Sequence, residues 1–231
     1  MQIPNLEQEI IVVDDGSKDG TREISETFEK VKVVFHEHNR VKGCAIKTGI
    51  RHAMGQILII QDADLEYDPN DYAEVFQPIL SGDCELVVGS RFVWSQPLFF
   101  TENGDPFFSH YVANRAIILI TNLLYGQNHT DYEGCYEAFT KSLADLVRVQ
   151  TDGFDFDNEL ICKSIRLGYQ IVEVPIEYTP RIYSEGKKIG WRDGLHNFKN
   201  NSSMAVLPYR NKGAIRLRDF RKLSGENRNL N

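Results

Sequence analysis

The sequence has few cysteines, and none of them stands in a metal-binding pattern. Its 231 residues include only four: Cys44, Cys84, Cys135 and Cys162. No Cys-x-x-Cys pair and no Cys/His zinc spacing occurs, which argues against a zinc site and against a disulfide framework. We therefore expect free, mostly buried thiols in a reducing compartment. The histidines show no metal-ligand pair either, and we expect His36 and His38 to lie in an exposed turn.

Long apolar runs are also missing. The most apolar segment, residues 113–125, is interrupted by several polar side chains, whereas a bilayer span needs roughly 20 apolar residues. Residues 1–5 show no basic region followed by an apolar stretch, so we expect no signal peptide. Any contact with a membrane is therefore expected to be peripheral.

The net charge of −7 hides an asymmetry along the chain. From Arg181 onward there are 12 Lys/Arg and 4 Asp/Glu, a net +8, which leaves −15 for residues 1–180. The basic segment could face phosphates or an anionic membrane, or residues after Arg210 could be a solvated tail. It has no aromatic stacking platform and no recognised nucleic-acid-binding pattern, so we expect no nucleic-acid partner.

Apolar runs alternate with helical patterns over the first 90 residues. Apolar runs at 9–13, 31–35, 56–61 and 85–89 predict strands buried on both faces of a sheet. Residues 21–30, 42–54 and 69–80 predict the helices between them. This order is typical of βαβ units and of a mainly parallel sheet.

The pattern changes after Arg91. Residues 93–106 predict a long loop, and residues 109–124 and 155–167 predict helices, with Asp157 as an N-cap. Residues 170–178 predict an edge strand, because Pro175 cannot donate to a ladder.

An Asp-x-Asp motif follows the third predicted strand. In open α/β sheets ligands bind beyond the carboxyl ends of strands, where Asp62 and Asp64 would lie. Carboxylate oxygens are the ligands that Mg²⁺ or Mn²⁺ takes, and such an ion can bridge a substrate's phosphates. A surface loop or a helix cap remains the alternative for so short a motif.

Three further groups stand at strand ends or helix starts. Asp14 and Asp15 end the first strand, where a carboxylate could contact a nucleoside or merely shape a turn. Lys42 opens a helix, where backbone amides and a cation favour anions. Arg91 ends the fourth strand, where it could hold a phosphate bidentately.

Together these segments resemble a known family. EIIVVDDGSKDGT, VKGCAIKTGI, ILIIQDADLEYDPNDY, VVGSRF and EGKKIGWRDGL occur in the order typical of family 2 glycosyltransferases of the polyprenyl-phosphate type, which includes dolichyl-phosphate mannose synthases. The resemblance extends from about Glu9 to about Leu195. It implies a GT-A fold, in which a mainly parallel sheet is flanked by helices. It also implies inverting transfer of a hexose from a nucleoside diphosphate sugar to a polyprenyl phosphate.

The resemblance also implies roles for individual residues. Metal binding falls to Asp62, Asp64 and Glu66, and catalysis to Asp64 and Arg91. Substrate contacts fall to the following residues: Asp14, Asp15, Lys42, Asp62, Arg91, Asp131, Lys187 and Lys188. Among these, Asp14 or Asp15 would contact the nucleoside, Arg91 the acceptor phosphate and Asp131 a sugar hydroxyl, unless Asp131 caps a loop instead.

The chain departs from the family pattern at two places. It begins just before the expected second strand, so we expect a GT-A sheet that lacks its first, internal strand. Gly134 stands where the family has Thr or Ser, so a sugar contact is expected to be missing. We expect a catalytic domain over residues 1–200 and a basic tail over 201–231.

The sequence thus supports a metal-dependent hexosyltransferase at the cytoplasmic face of the membrane. Its expected partners are Mg²⁺ or Mn²⁺, a donor of the GDP-mannose or UDP-glucose type, a polyprenyl phosphate and the membrane surface. The alternative is an inactive binding module that keeps the GT-A scaffold.

Overall fold

A computed structural model describes residues 6–93, 108–132, 134 and 136–179. Strands and helices alternate over the first 90 residues, as the sequence predicts, whereas two consecutive helices precede the last strand. The strands are β1 (Ile10–Asp14), β2 (Val31–Phe35), β3 (Ile57–Ile59), β4 (Leu86–Ser90), β5 (Glu137–Thr140) and β6 (Ile171–Pro175). The helices are α1 (Thr21–Ser25), α2 (Lys42–His52), α3 (Tyr72–Leu80), α4 (Phe108–Tyr125), α5 (Lys141–Val147) and α6 (Phe156–Arg166).

The strands form two groups. β1 pairs in parallel with β2, and the other four form a sheet in the order β3-β5-β4-β6. β4 and β6 are parallel, whereas β5 runs antiparallel to both of its neighbours. The sequence does not predict β5, because this short strand has no continuous apolar run. β6 lies at the edge of the sheet, which confirms the interpretation of Pro175.

The sheet is divided between β1 and β3. In the described ranges neither of these strands has a partner on its second side. The prediction that the first apolar run is buried on both faces is wrong, since Ile10 is 57% exposed and the next three residues are only partly buried. Glu9 still links the two groups, because its Oε1 accepts hydrogen bonds from the amides of Met54 and Gly55 at 2.6 and 2.7 Å.

Two apolar clusters cover the two faces of the larger sheet. One contains Leu86, Val88 and Phe139 and packs against helices α5 and α6. The other contains Val87, Tyr136 and Ala138 and packs against α3. The alternation along β4 and β5 places successive residues in opposite clusters, as expected for pleated strands covered on both sides.

Several helix boundaries differ from the predictions. α1 ends at Ser25 rather than near Lys30, and its N-cap is Gly20, with φ 87°. The predicted third helix begins with a 3-10 turn, Pro69–Asp71, before α3. Among the described residues, no helix is long and apolar enough to cross a bilayer.

Candidate active site at the carboxyl ends of the strands

The strand ends bring the predicted acidic and basic residues to one edge of the fold. β3 and β4 point in the same direction, because both are antiparallel to β5. Asp62 follows β3 and Arg91 follows β4, so their backbones leave the sheet at the same edge. The chain after β6 returns to this edge, where Thr179 donates its amide to the carbonyl of Glu66 at 2.9 Å.

The Asp-x-Asp loop holds its three acids in different local environments. Asp62 Oδ2 lies 3.1 Å from the Lys42 ammonium, and the Asp62 side chain is 31% exposed. Asp64 Oδ1 accepts the Glu66 amide at 3.1 Å, and Glu66 Oε2 accepts the Tyr178 hydroxyl at 3.3 Å. Within the described ranges, no group of three or more acidic, histidine or cysteine side chains is arranged to hold a metal ion.

The loop geometry nevertheless suits a site that a substrate completes. Mg²⁺ in proteins usually takes one or two carboxylates, keeps several waters and takes its remaining ligands from phosphates. Asp62 and Asp64 supply hard oxygen donors of this kind at a partly exposed loop. Leu65, between Asp64 and Glu66, has φ 62°, so the backbone here takes a left-handed turn that a branched residue seldom adopts.

Lys42 lies at the first position of α2, as predicted, but its side chain is held by two carboxylates. Its ammonium lies 3.1 Å from Asp62 Oδ2 and 3.2 Å from Asp157 Oδ2. The start of α2 fits closely against the 151–153 loop, since a Cβ on Gly43 would lie 2.7 Å from the Gly153 carbonyl oxygen. The prediction of Asp157 as an N-cap is wrong: Asp155 occupies that position, and Asp157 belongs to the first turn of α6.

The two aspartates at the end of β1 have different partners within the protein. Asp14 is buried and accepts the Ser17 amide at 2.8 Å, with Arg22 Nε 3.7 Å away. Burial raises the pKa of Asp14, but the hydrogen bonds from Ser17 and the charge of Arg22 outweigh it and leave the pKa below its ordinary value. Asp15 accepts the amide of Arg40 at 2.9 Å.

His36 directly follows β2 and is not in an exposed turn. It is 7% exposed, whereas His38 lies on the surface as predicted. Its Nδ1 lies 2.6 Å from Asp15 Oδ1, and its Nε2 lies 3.0 Å from Thr48 Oγ1 on α2. The expectation for His36 is wrong because it considers only the turn after β2, while the partners come from β1 and α2.

Arg91 forms a buried bidentate pair with Asp131. Nε donates to Asp131 Oδ2 at 2.7 Å and Nη2 donates to Oδ1 at 2.9 Å. The guanidinium also lies over the ring of Tyr178, 5.3 Å from its centroid. Burial alone lowers the pKa of Arg91, but the Asp131 charge outweighs it and raises the pKa above its ordinary value. The substrate contacts expected of Arg91 and Asp131 stay predictions.

Glu173 fixes the loop that carries Asp131. Its carboxylate accepts the amides of Thr130, at 2.8 Å, and Asp131, at 2.9 Å. Gly134 follows in the same loop, where a Cβ would lie 2.5 Å from the Gly89 carbonyl oxygen. The loop and β4 therefore approach too closely for the Thr or Ser that the family pattern has here.

Two functional predictions fall beyond what the structure describes. Lys187 and Lys188 lie outside the described residues, as does the basic tail over 201–231. The division at residue 200 also lies outside them.

Glu137 is a residue of this region that the sequence does not single out. It is fully buried on β5, with both carboxylate oxygens lacking a hydrogen-bond partner in the described structure. The sequence signal that could have indicated it is a single acid within the otherwise apolar run Tyr136, Ala138 and Phe139.

Comparison with known proteins extends these observations. Residues 1–147 match the description "Glycosyl transferase family 2". An uncharacterised protein of Methanocaldococcus jannaschii is 33% identical over 201 residues, covering 81% of this chain and 79% of that protein. The UDP-N-acetylglucosamine–dolichyl-phosphate N-acetylglucosaminyltransferase of Methanococcus voltae is 32% identical over 197 residues, covering 76% of this chain and 75% of the relative.

A third relative is named as a glycosyltransferase, and a solved structure shares the fold. The glycosyltransferase AglJ of Haloferax volcanii is 28% identical over 173 residues, which cover 74% of this chain and 54% of AglJ. Glucosyl-3-phosphoglycerate synthase from Mycobacterium tuberculosis, solved with uridine diphosphate, shares the fold with a TM-score of 0.66 at 17% identity, covering 89% of this chain and 72% of that one. The expected GT-A fold is thereby confirmed. The chain belongs to glycosyltransferase family 2.

Proposed function

We propose that this glycosyltransferase moves a hexose from a nucleoside diphosphate sugar to a polyprenyl phosphate, with inversion and with a divalent metal. The observation that carries the proposal is the position of Asp62 and Asp64 at the carboxyl end of β3, with Lys42 at 3.1 Å from Asp62. Two acids and a lysine at one strand end provide both signs of charge that a metal-bound diphosphate needs.

Uridine diphosphate sugars are the first donors to test. The Methanococcus voltae relative is named for UDP-N-acetylglucosamine, and the Mycobacterium tuberculosis synthase has been solved with Mn²⁺ and UDP-glucose. The position of Asp14 and Asp15 at the carboxyl end of β1 supports nucleoside binding there. GDP-mannose, which the resemblance also implies, is the comparison donor.

Mg²⁺ or Mn²⁺ would be held by Asp62 and Asp64, with Glu66 close by in sequence. When bound, such an ion neutralises charge on the leaving diphosphate. The protein's own contribution is alignment: Lys42 provides a cation beside Asp62, and Arg91 provides one at the end of β4. A phosphate acceptor is already ionised near neutral pH, so its oxygen needs no strong general base to attack the anomeric carbon. Direct attack with departure of the diphosphate inverts that carbon.

A lipid-linked acceptor is supported by the relatives and by the surface of α4. The Methanococcus voltae relative is named for dolichyl phosphate as its acceptor. On α4, Val112, Leu119 and Leu123 are 47%, 59% and 74% exposed. Their spacing of seven and then four residues places them on one face of the helix. We propose that this face contacts the membrane at its cytoplasmic side.

The test is a donor screen with the full chain. UDP-N-acetylglucosamine, UDP-glucose and GDP-mannose are each incubated with Mn²⁺ and a short polyprenyl phosphate, and released nucleoside diphosphate is measured. Asp62→Asn and Asp64→Asn are expected to remove metal-dependent release. Asp83→Asn, an exposed residue before β4, is the matched control and should behave like the wild type.

Two results would change the proposal. A folded protein that binds none of the donors refutes it. Donor binding without turnover supports instead the binding-module alternative, for which the division of the sheet between β1 and β3 is the structural argument.

A further inference from the structure

Glu137 stands out because it is a fully buried acid without a hydrogen-bond donor. Its exposed fraction is 0%, and neither oxygen has a hydrogen-bond partner among the described residues. Leaving a buried polar atom without a hydrogen bond destabilises the fold, and burying an ionised group in this way destabilises it more. An ionised Glu137 would therefore be expensive in this place.

A second unsatisfied carboxylate oxygen belongs to the same cluster of charges. Asp157 is 6% exposed, and its Oδ1 has no hydrogen-bond partner within the described ranges, while its Oδ2 is held by Lys42. Glu137 lies on the face of β5 that also carries Phe139, which packs in the same apolar cluster as Phe156 of α6. Asp157 follows Phe156, so the first turn of α6 covers the face that bears Glu137.

One proton would pair an oxygen of Glu137 with the unsatisfied oxygen of Asp157. A carboxylic acid has an O–H donor, whereas a carboxylate only accepts. We propose that Glu137 and Asp157 share one proton in a buried carboxylic acid–carboxylate pair, and that this pair is a positioning element that holds Lys42 beside Asp62. No bond to carbon changes in this arrangement; the proton bridges Glu137 and the free oxygen of Asp157.

The charges around the cluster agree with this protonation. The groups that face Glu137 are Lys42 from α2, Asp62 from the loop after β3, Asp157 from α6 and Asp131 from the loop before β5. Burial, followed by the charge of Asp157, raises the pKa of Glu137 well above its ordinary value, and Lys42 only partly opposes this. Burial raises the pKa of Asp157 as well.

The pair has a consequence for the proposed metal loop, and in this respect it rests on the proposed function. With one shared proton, the pair carries a single negative charge, which Lys42 balances. Without the proton, a further buried negative charge would compete for Lys42 and draw it away from Asp62.

Infrared spectroscopy of the free protein tests the proton directly. Near neutral pH the wild type should show the C=O stretch of a protonated carboxylic acid, and Glu137→Gln should lose it. Glu74→Gln, which changes an exposed glutamate on α3, is the matched control and should leave the band unchanged. A wild type without the band, or a Glu137→Gln protein that retains it, overturns the proposal.

Thermal unfolding across pH gives a second readout. Because the pKa of Glu137 is raised in the folded protein, its protonation stabilises the fold. This stabilisation is complete below the ordinary carboxyl pKa and is lost as pH rises towards the pKa of Glu137 in the folded protein. Gln cannot lose a proton, so the Tm of Glu137→Gln should rise relative to wild type between about pH 5 and about pH 8. A Tm difference that is constant over this range contradicts the shared proton.

Donor affinity tests the positioning role. Glu137→Leu removes the O–H donor and should weaken nucleotide-sugar binding by about tenfold, whereas Glu137→Gln keeps a donor and should restore most of it. Equal Kd values for the two variants refute positioning. If the wild type binds no nucleotide sugar, the proposed function fails, while the infrared and thermal results still decide the shared proton.

Discussion

The guanidinium of Arg91 donates one hydrogen bond to each carboxylate oxygen of Asp131, at 2.7 and 2.9 Å. The Asp131 side chain has no solvent exposure. Asp131 is itself held by Glu173, which accepts its backbone amide at 2.9 Å. The end of β4, the loop before β5 and the edge strand β6 are thus joined through two carboxylates, those of Asp131 and Glu173. Arg91 is in this way oriented before any substrate binds.

Removing either partner of the Arg91–Asp131 pair should lower the free energy of unfolding substantially. Arg91→Met and Asp131→Asn should each lower the free energy of unfolding by about 3–5 kcal/mol, because each leaves a buried charge without its partner. Urea unfolding measures both effects. The double variant Arg91→Met/Asp131→Asn should lose less than the sum of the two, and strict additivity would contradict the pair as the cause.

The apolar face of α4 should govern binding to lipid. Leu119→Glu combined with Leu123→Glu should lower partitioning onto vesicles that contain anionic lipid, because two exposed apolar side chains become charged. Sedimentation with vesicles measures the bound fraction. Leu146→Glu, at a site on α5 that is 56% exposed, is the matched control and should bind like the wild type. Equal loss in the control would argue against a specific role for α4.

The Asp14 loop should contribute stability only above acidic pH. Because the pKa of Asp14 is lowered in the folded protein, ionised Asp14 stabilises the fold. This stabilisation is present above the ordinary carboxyl pKa and is lost as pH falls through the pKa of Asp14 in the folded protein. Asp14→Asn should therefore lower the urea midpoint near neutral pH, and its difference from wild type should shrink in acid. Asp83→Asn is the control, and a difference for Asp14→Asn that is independent of pH would contradict the interpretation.

The buried thiols should react slowly while the protein is folded. Cys44, Cys84 and Cys162 are free and buried, which agrees with the sequence prediction. Burial raises the pKa of Cys84 from 9.0 to about 12 and that of Cys162 to about 11. Because the thiolate is the reactive form, iodoacetamide should label Cys84 roughly 10³-fold more slowly than an ordinary thiol. Peptide mapping with and without guanidinium measures this, and rapid labelling in the folded state would refute it.

The polar residues at the strand ends can be predicted from the sequence because they directly follow apolar runs. An apolar run followed by Asp62 or Arg91 indicates a strand that delivers a polar side chain to the edge of a sheet. The partners were not predictable in this way, since Asp157 meets Lys42 across 115 residues of sequence and Asp131 meets Arg91 across 40. His36 shows the same limit, because its burial depends on Asp15 and Thr48.

The pairing of β3 with β5 also affects the order in which the fold can form. Ile57 lies opposite Thr140 and Ile59 opposite Ala138, so residues roughly 80 positions apart must meet before β3 has a neighbour. β1 and β2, by contrast, pair within one short stretch, Ile10 with Val31 through Asp14 with Phe35. Contacts between distant residues slow folding. During synthesis β3 must therefore wait for more than half of the chain to leave the ribosome, while β1 and β2 can already be paired.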